Sequence, residues 1–231
     1  DRDPFIVPGE IGTWTTKRGF SFAIMDDGEI IWISEKDGFS HIYRNRPDGR
    51  PINQVTRGDW EVNNISAIDY KNEMIYFSAK KETETENHLY SIKFNGSRLK
   101  RLTKEKGSHS SSFSPTLNYF INSYSSFTVP PKTLIREDNG KIVRILRETD
   151  KSKFDAYNLT YPQLINIFTD DGTRLNALIT YPHNFDPMKQ YPVILYNYGG
   201  PGSQLVVNRW GAGSHTLHQY FASRDFIIFS F

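Results

Sequence analysis

A repeat limits what this chain can fold into more than any other feature. HIYRNRPDGRPINQVT, residues 41–56, lies without gaps over HLYSIKFNGSRLKRLT, residues 88–103, a period of 47 residues. The match pairs His41 with His88, Tyr43 with Tyr90, Asp48-Gly49 with Asn95-Gly96, and Val55-Thr56 with Leu102-Thr103. A fainter third copy turns at Asn139-Gly140, 44 residues further on, between KTLIRE and KIVRILRE. Asp-Gly and Asn-Gly between alternating runs predict hairpins, since both residues tolerate positive φ. Two more strand-like runs precede each copy: FSFAIM and EIIWISE, NISAIDY and EMIYFSA, HSSSFSP and NYFINSYSS. Four short strands every 44 to 47 residues predict β-propeller blades, stacked because no single blade buries both of its faces. Three blades do not close a ring, so further blades are expected ahead of Asp1.

Near residue 150 the pattern changes. DKSKFDAYNLTYPQ is polar and irregular and reads as a linker. LINIFTDDGTRLNALITYP then reads as two strands around Asp171-Gly172, and YPVILYNY as an almost wholly apolar strand. That strand runs into the turn Gly199-Gly200-Pro201-Gly202. SHTLHQYFASRD, residues 214–225, places Leu217, Tyr220 and Phe221 at helical spacing, and FIIFSF follows as a strand. Strand, glycine turn, helix and strand, with strands apolar on both faces, predict the opening of a parallel α/β sheet. The fold class is therefore mixed. Four-stranded antiparallel repeats fill 1–150, a linker spans 151–163, and an α/β part occupies 164–231.

Composition excludes several classes. The 28 Lys and Arg against 26 Asp and Glu leave a net charge of +2, which argues against a nucleic-acid-binding tail. With no Cys, neither a disulfide framework nor a Cys-based zinc site or nucleophile is open to this chain. No apolar run reaches the length of a membrane span. The chain opens at Asp1 without Met and stops at Phe231 directly after a strand-like run. It reads as part of something longer.

Trp32-Ile-Ser-Glu-Lys-Asp-Gly-Phe-Ser-His-Ile-Tyr43, Gly58-Asp-Trp-Glu-Val62 and Tyr191-Pro-Val-Ile-Leu-Tyr-Asn-Tyr-Gly-Gly-Pro-Gly-Ser-Gln204 resemble the dipeptidyl peptidase IV family, serine exopeptidases of the prolyl oligopeptidase group. The resemblance runs from about residue 14 to 231, in the same order and with similar spacing. It implies a β-propeller capping an α/β-hydrolase domain, with the last blades and the first part of the hydrolase domain present here. It also implies substrates that are peptides with Pro or Ala second from the N-terminus, no cofactor, a homodimeric parent protein and an extracytoplasmic location.

In an α/β hydrolase the loop after the third strand supplies part of the oxyanion hole, and a Ser on a sharp turn further on is the nucleophile. The family's Tyr at the lip of the glycine turn points its hydroxyl at the developing oxyanion, and Tyr198 matches it. The competing interpretation is a Tyr that merely packs at a strand end. The triad is missing. No G-x-S-x-G occurs in the 231 residues, and neither Ser203 nor Ser214 has the required glycines two places to either side. The nucleophile, its Asp and its His are expected beyond Phe231, and the family's substrate-amine-binding Glu pair ahead of Asp1. By itself the chain is expected to be inactive.

Other constellations are weaker. His215 and His218 stand three apart at the start of the helix, but no further metal ligand is signalled. His41 and His88 occupy equivalent repeat positions, which favours a structural role. KKETETEN, with Glu82, Glu84 and Glu86, reads as a solvated hairpin tip, and Asp170-Asp171-Gly172 as a turn. Asn64, Asn95 and Asn158 head glycosylation sequons. Trp14 and Trp60 read as blade core or cavity lining. Besides the exopeptidase, three alternatives stand: a catalytically inactive relative that binds proteins, an unrelated propeller scaffold, and an endopeptidase or acylaminoacyl peptidase of the wider group.

Overall fold

The computed structural model describes residues 22–198, 203–211 and 215–231. Trp14 and the turn 199–202 lie outside the described residues. Three successive sheets have four strands each. The first joins β1 (Phe22–Ile24), β2 (Ile30–Ser34), β3 (His41–Asn45) and β4 (Pro51–Gln54) in chain order. The second joins β5 (Val62–Asp69), β6 (Met74–Ala79), β7 (His88–Lys93) and β8 (Lys100–Arg101), again in chain order. The third joins β9 (Ser108–Phe113), β10 (Tyr119–Ser125), β11 (Lys132–Glu137) and β12 (Ile142–Glu148). These hairpin-linked sheets are built like propeller blades, and none of them is closed on itself. The repeat read from the sequence is thus a repeat of sheets.

The hairpin turns differ from the sequence expectation in one respect. Only the glycine takes positive φ: 84° at Gly49, 83° at Gly96 and 93° at Gly140, while the preceding Asp48, Asn95 and Asn139 stay at negative φ. In each turn the glycine N–H donates to the carbonyl three residues back: Gly49 to Arg46 at 2.9 Å, Gly96 to Lys93 at 2.8 Å, Gly140 to Glu137 at 2.8 Å. This is a type I turn closed by a glycine bulge, the usual three-residue hairpin loop. The Asp or Asn is there for its side chain, whose Oδ1 accepts the N–H two residues on: Arg50 at 3.0 Å, Ser97 at 3.0 Å, Lys141 at 2.8 Å.

The middle sheet shows why the repeats need one another. Along β6 the side chains alternate, Ile75 and Phe77 joining a core with Ile31, Ile42, Val55 and Trp60 of the preceding repeat. Tyr76 points the other way and packs with Leu89, Leu102 and Phe120, which belongs to the following one. Each large apolar side chain buried in this way stabilises by about 1.5–3 kcal/mol. Phe77 lies between Trp60 and Tyr90, with ring centroids at 6.3 and 5.7 Å.

A polar pair is repeated as faithfully as the turns. His41 Nε2 donates to the Gly58 carbonyl at 2.9 Å, which leaves Nδ1 to accept from the Thr56 hydroxyl at 3.1 Å. The same Thr56 oxygen accepts the Ile42 N–H at 2.9 Å. One repeat later, His88 Nδ1 meets Thr103 Oγ1 at 3.2 Å and that oxygen accepts the Leu89 N–H at 3.0 Å. His88 Nε2 also faces the Glu86 carboxylate at 3.1 Å. KKETETEN is accordingly not solvated throughout: Thr85 is buried and Glu86 turns inward to this histidine.

The remainder forms a fourth sheet of β13 (Gln163–Phe168), β14 (Arg174–Thr180), β15 (Val193–Leu195) and β16 (Ile227–Ser230), in the spatial order β13-β14-β16-β15. β13–β14 and β14–β16 are antiparallel, whereas β15 and β16 run parallel, with helix α2 (His215–Ala222) between them in sequence. A parallel pair needs such a crossover, because no tight turn can return the chain in the same direction. The segment read as a linker holds one helical turn, α1 (Ser152–Asp155). By contact density the chain divides into two compact units. Among the described residues one takes those up to 105 with 109–123 and 134–145; the other takes 106–108, 124–133 and those from 146 onward.

Candidate functional site

β15 aims the chain at the glycine turn. Its register sets Val193, Ile194 and Leu195 beside Ile227, Ile228 and Phe229, and the Tyr196 N–H extends the pairing by donating to the Phe229 carbonyl at 2.8 Å. The strand was expected to be covered on both faces. Instead Val193 and Leu195 are 61% and 60% exposed, because among the described residues only the face bearing Ile194 and Tyr196 is packed.

Helix α2 covers that face, although with a different stripe from the one its apolar spacing suggests. Ala222 and His218 are buried, whereas Leu217 and Tyr220 are half exposed. The His218 ring meets the Tyr196 ring edge-on at 4.9 Å. Hydropathy periodicity misses this, since a histidine counts as polar and yet serves here as an aromatic wedge. The helix stops through a Schellman-type end: Phe226 N–H reaches the Phe221 carbonyl at 3.1 Å and Asp225 N–H the Ala222 carbonyl at 3.3 Å. Asp225 holds the left-handed position, with φ 63°, that glycine usually fills.

Tyr198 stands past the carboxyl end of β15, 61% exposed, at the entrance to the turn. Its backbone N–H donates to the Asn197 side chain at 2.8 Å. Among the described residues its side chain joins none of the buried apolar clusters. Ser203 is exposed at the turn's exit. Ser214 and the glycines lie outside the described residues. Among the described residues no three His, Cys, Asp or Glu side chains gather as a metal site would require, and His218 is occupied with Tyr196. Trp60 belongs to the sheet core, edge-on to His41.

Stacked four-stranded repeats, followed by a sheet with a parallel β-α-β element and a Tyr at its turn, define the chain as a blade protein joined to an α/β sheet. Comparison with known proteins says which. The profile of the dipeptidyl peptidase IV N-terminal region matches residues 10–131. Dipeptidyl peptidase 4 of Arthroderma otae is 34% identical over 185 residues, 78% of this chain and 24% of that protein. Dipeptidyl peptidase 4 of Trichophyton rubrum shows the same identity over the same share. The crystal structure of Porphyromonas gingivalis dipeptidyl peptidase 4 superimposes with a TM-score of 0.84 at 29% identity, over 91% of this chain and 30% of that one. The chain belongs to the dipeptidyl peptidase IV family and spans about a quarter of the length of the curated relatives it matches.

Proposed function

We propose that this chain is part of a serine exopeptidase that releases N-terminal dipeptides with Pro or Ala in second place. Residues 1–150 are its last propeller blades, 151–163 a linker, and 164–231 the start of its α/β-hydrolase domain. The observation that carries this reading is the place of Tyr198. β15 is the third strand of its sheet in chain order, and α2 is the first full helix after it. The loop between a third strand and the following helix is where α/β hydrolases place an oxyanion-hole donor.

The chemistry follows from that place. When a nucleophile adds to a peptide carbonyl, the oxygen gains negative charge that the substrate lacked. A phenol O–H already aimed there binds the transition state better than the ground state, and so lowers the barrier. Tyr198 is this donor in our reading. The Ser, Asp and His that attack, shuttle the proton and orient the base are not among these 231 residues, which hold no G-x-S-x-G. Alone, the chain is inactive. The parent protein acts as a homodimer, outside the cytoplasm. Among the described residues no helix is long and apolar enough to cross a membrane.

The test is Tyr198→Phe in the full-length protein, assayed on a chromogenic Xaa-Pro substrate. Loss of one oxyanion donor lowers kcat by about 10²–10³ with KM little changed. A kcat within about twofold of wild type overturns the role of Tyr198. No hydrolysis by the wild-type parent overturns the enzyme itself and leaves a protein-binding relative.

A further inference from the structure

The exit of the glycine turn has no regular structure of its own. From Leu205 to Arg209 its internal backbone bonds span only two residues each: Val207 N–H to the Leu205 carbonyl at 3.0 Å, and Arg209 N–H to the Val207 carbonyl at 2.8 Å. Bonds of this span make tight single bends and confer little rigidity. Yet Val206 is buried, so something else holds the segment.

The loop joining β10 to β11 supplies the hold, from more than 80 residues away in sequence. The Phe127 N–H donates to Asn208 Oδ1 at 2.9 Å. The Trp210 N–H donates to Ser125 Oγ at 3.1 Å. Between these two bonds the Phe127 side chain packs against Val206 and Leu178 of β14. The loop is itself stiff, because Ser126 N–H reaches the Val129 carbonyl at 3.0 Å and Val129 N–H reaches Ser126 Oγ at 3.1 Å. A rigid loop thus grips the arm downstream of the turn at two points bracketing an apolar contact, while β16 grips the arm upstream through Tyr196. All of these residues fall in one compact unit, which takes 124–133 together with 146–231.

We propose that this loop buttresses the oxyanion turn, with Asn208 and Ser125 as positioning residues for Tyr198. The inference rests on the reading of Tyr198 as oxyanion donor. Neither positioning residue touches substrate. They hold the chain between Val206 and Trp210, and through that hold they steady the phenol of Tyr198. Positioning on this scale matters because a displacement of about 1 Å costs on the order of 10²-fold in rate. A blade loop thereby becomes part of the catalytic scaffold, which no property of the loop's own sequence announces.

A double-mutant cycle in the full-length protein tests it, on the same Xaa-Pro substrate. Asn208→Ala and Ser125→Ala each lower kcat roughly tenfold, with KM within about twofold. In the Tyr198→Phe background the same substitutions change kcat by less than about twofold, since the donor they aim has gone. Ser125→Ala removes a single oxygen and serves if Asn208→Ala fails to fold. Equal losses in both backgrounds would mean that the loop acts independently of Tyr198, and the proposal falls. Unchanged kcat in the wild-type background also sinks it, leaving Tyr198 in place. If Tyr198→Phe is itself silent, it is the oxyanion reading that fails.

Discussion

Gly140 rests so closely on the Leu102 carbonyl oxygen that a side-chain carbon at Gly140 would overlap it. The turn of the third repeat is thereby seated on the backbone just past the last strand of the second. The preceding junction is built alike, with a Cβ at Gly96 coming to 2.9 Å of the Val55 oxygen. Val55 and Leu102 are equivalent in the repeat, so the glycines secure both the hairpin and its stacking.

Gly140→Ala therefore carries two penalties, a left-handed φ of 93° and a backbone clash. Gly172→Ala carries only the first, since its φ is 83° and nothing lies within 4 Å of the added carbon. Strain alone costs about 1–2 kcal/mol. Denaturant unfolding of the full-length protein is expected to show Gly140→Ala losing clearly more than Gly172→Ala. Equal losses would show that the stacking contact yields freely.

Thr103 satisfies two buried groups at once, the Leu89 N–H and His88 Nδ1. Thr103→Val keeps the shape and removes the oxygen, which leaves the amide unpaired and costs about 1–3 kcal/mol. Thr103→Ser keeps the oxygen and is expected to recover most of that. Comparison of the two unfolding midpoints separates the hydrogen bonds from the lost methyl group.

His109 responds to pH. Burial, as the largest cause, pushes its pKa down from 6.5 to about 4, and the nearby His88 adds to the effect. Contacts to the Glu105 carbonyl at 2.9 Å and Asn122 Oδ1 at 3.2 Å pull the other way without prevailing. The folded state therefore takes up its proton later than the unfolded chain does. The contribution of the neutral ring is whole above about pH 6.5 and is lost as pH falls through about 4, amounting to a few kcal/mol at most. In urea titrations between pH 7 and 4, His109→Gln is expected to flatten this slope relative to wild type. Parallel slopes would remove His109 as the cause.

How much of this was legible beforehand depends on range. The hairpins, the period and the strand order within each repeat follow from neighbours a few residues apart, because Asp-Gly or Asn-Gly turns and alternating side chains act locally. The strand leading to Tyr198 was legible as well, since an apolar run ahead of glycines is a contiguous pattern. The seating of Gly140 on Leu102, the wedge of His218 against Tyr196 and the hold of Ser125 and Phe127 on Trp210 and Asn208 were not. Each joins segments whose approach costs loop entropy and is settled only when cores close around them. The sequence by itself determined which units this protein is made of and where its turns fall. Tertiary structure alone decided which backbone each turn rests on and which distant loop holds Asn208 and Trp210, because hydrogen bonds and packing act through space between residues that carry no sign of one another along the chain.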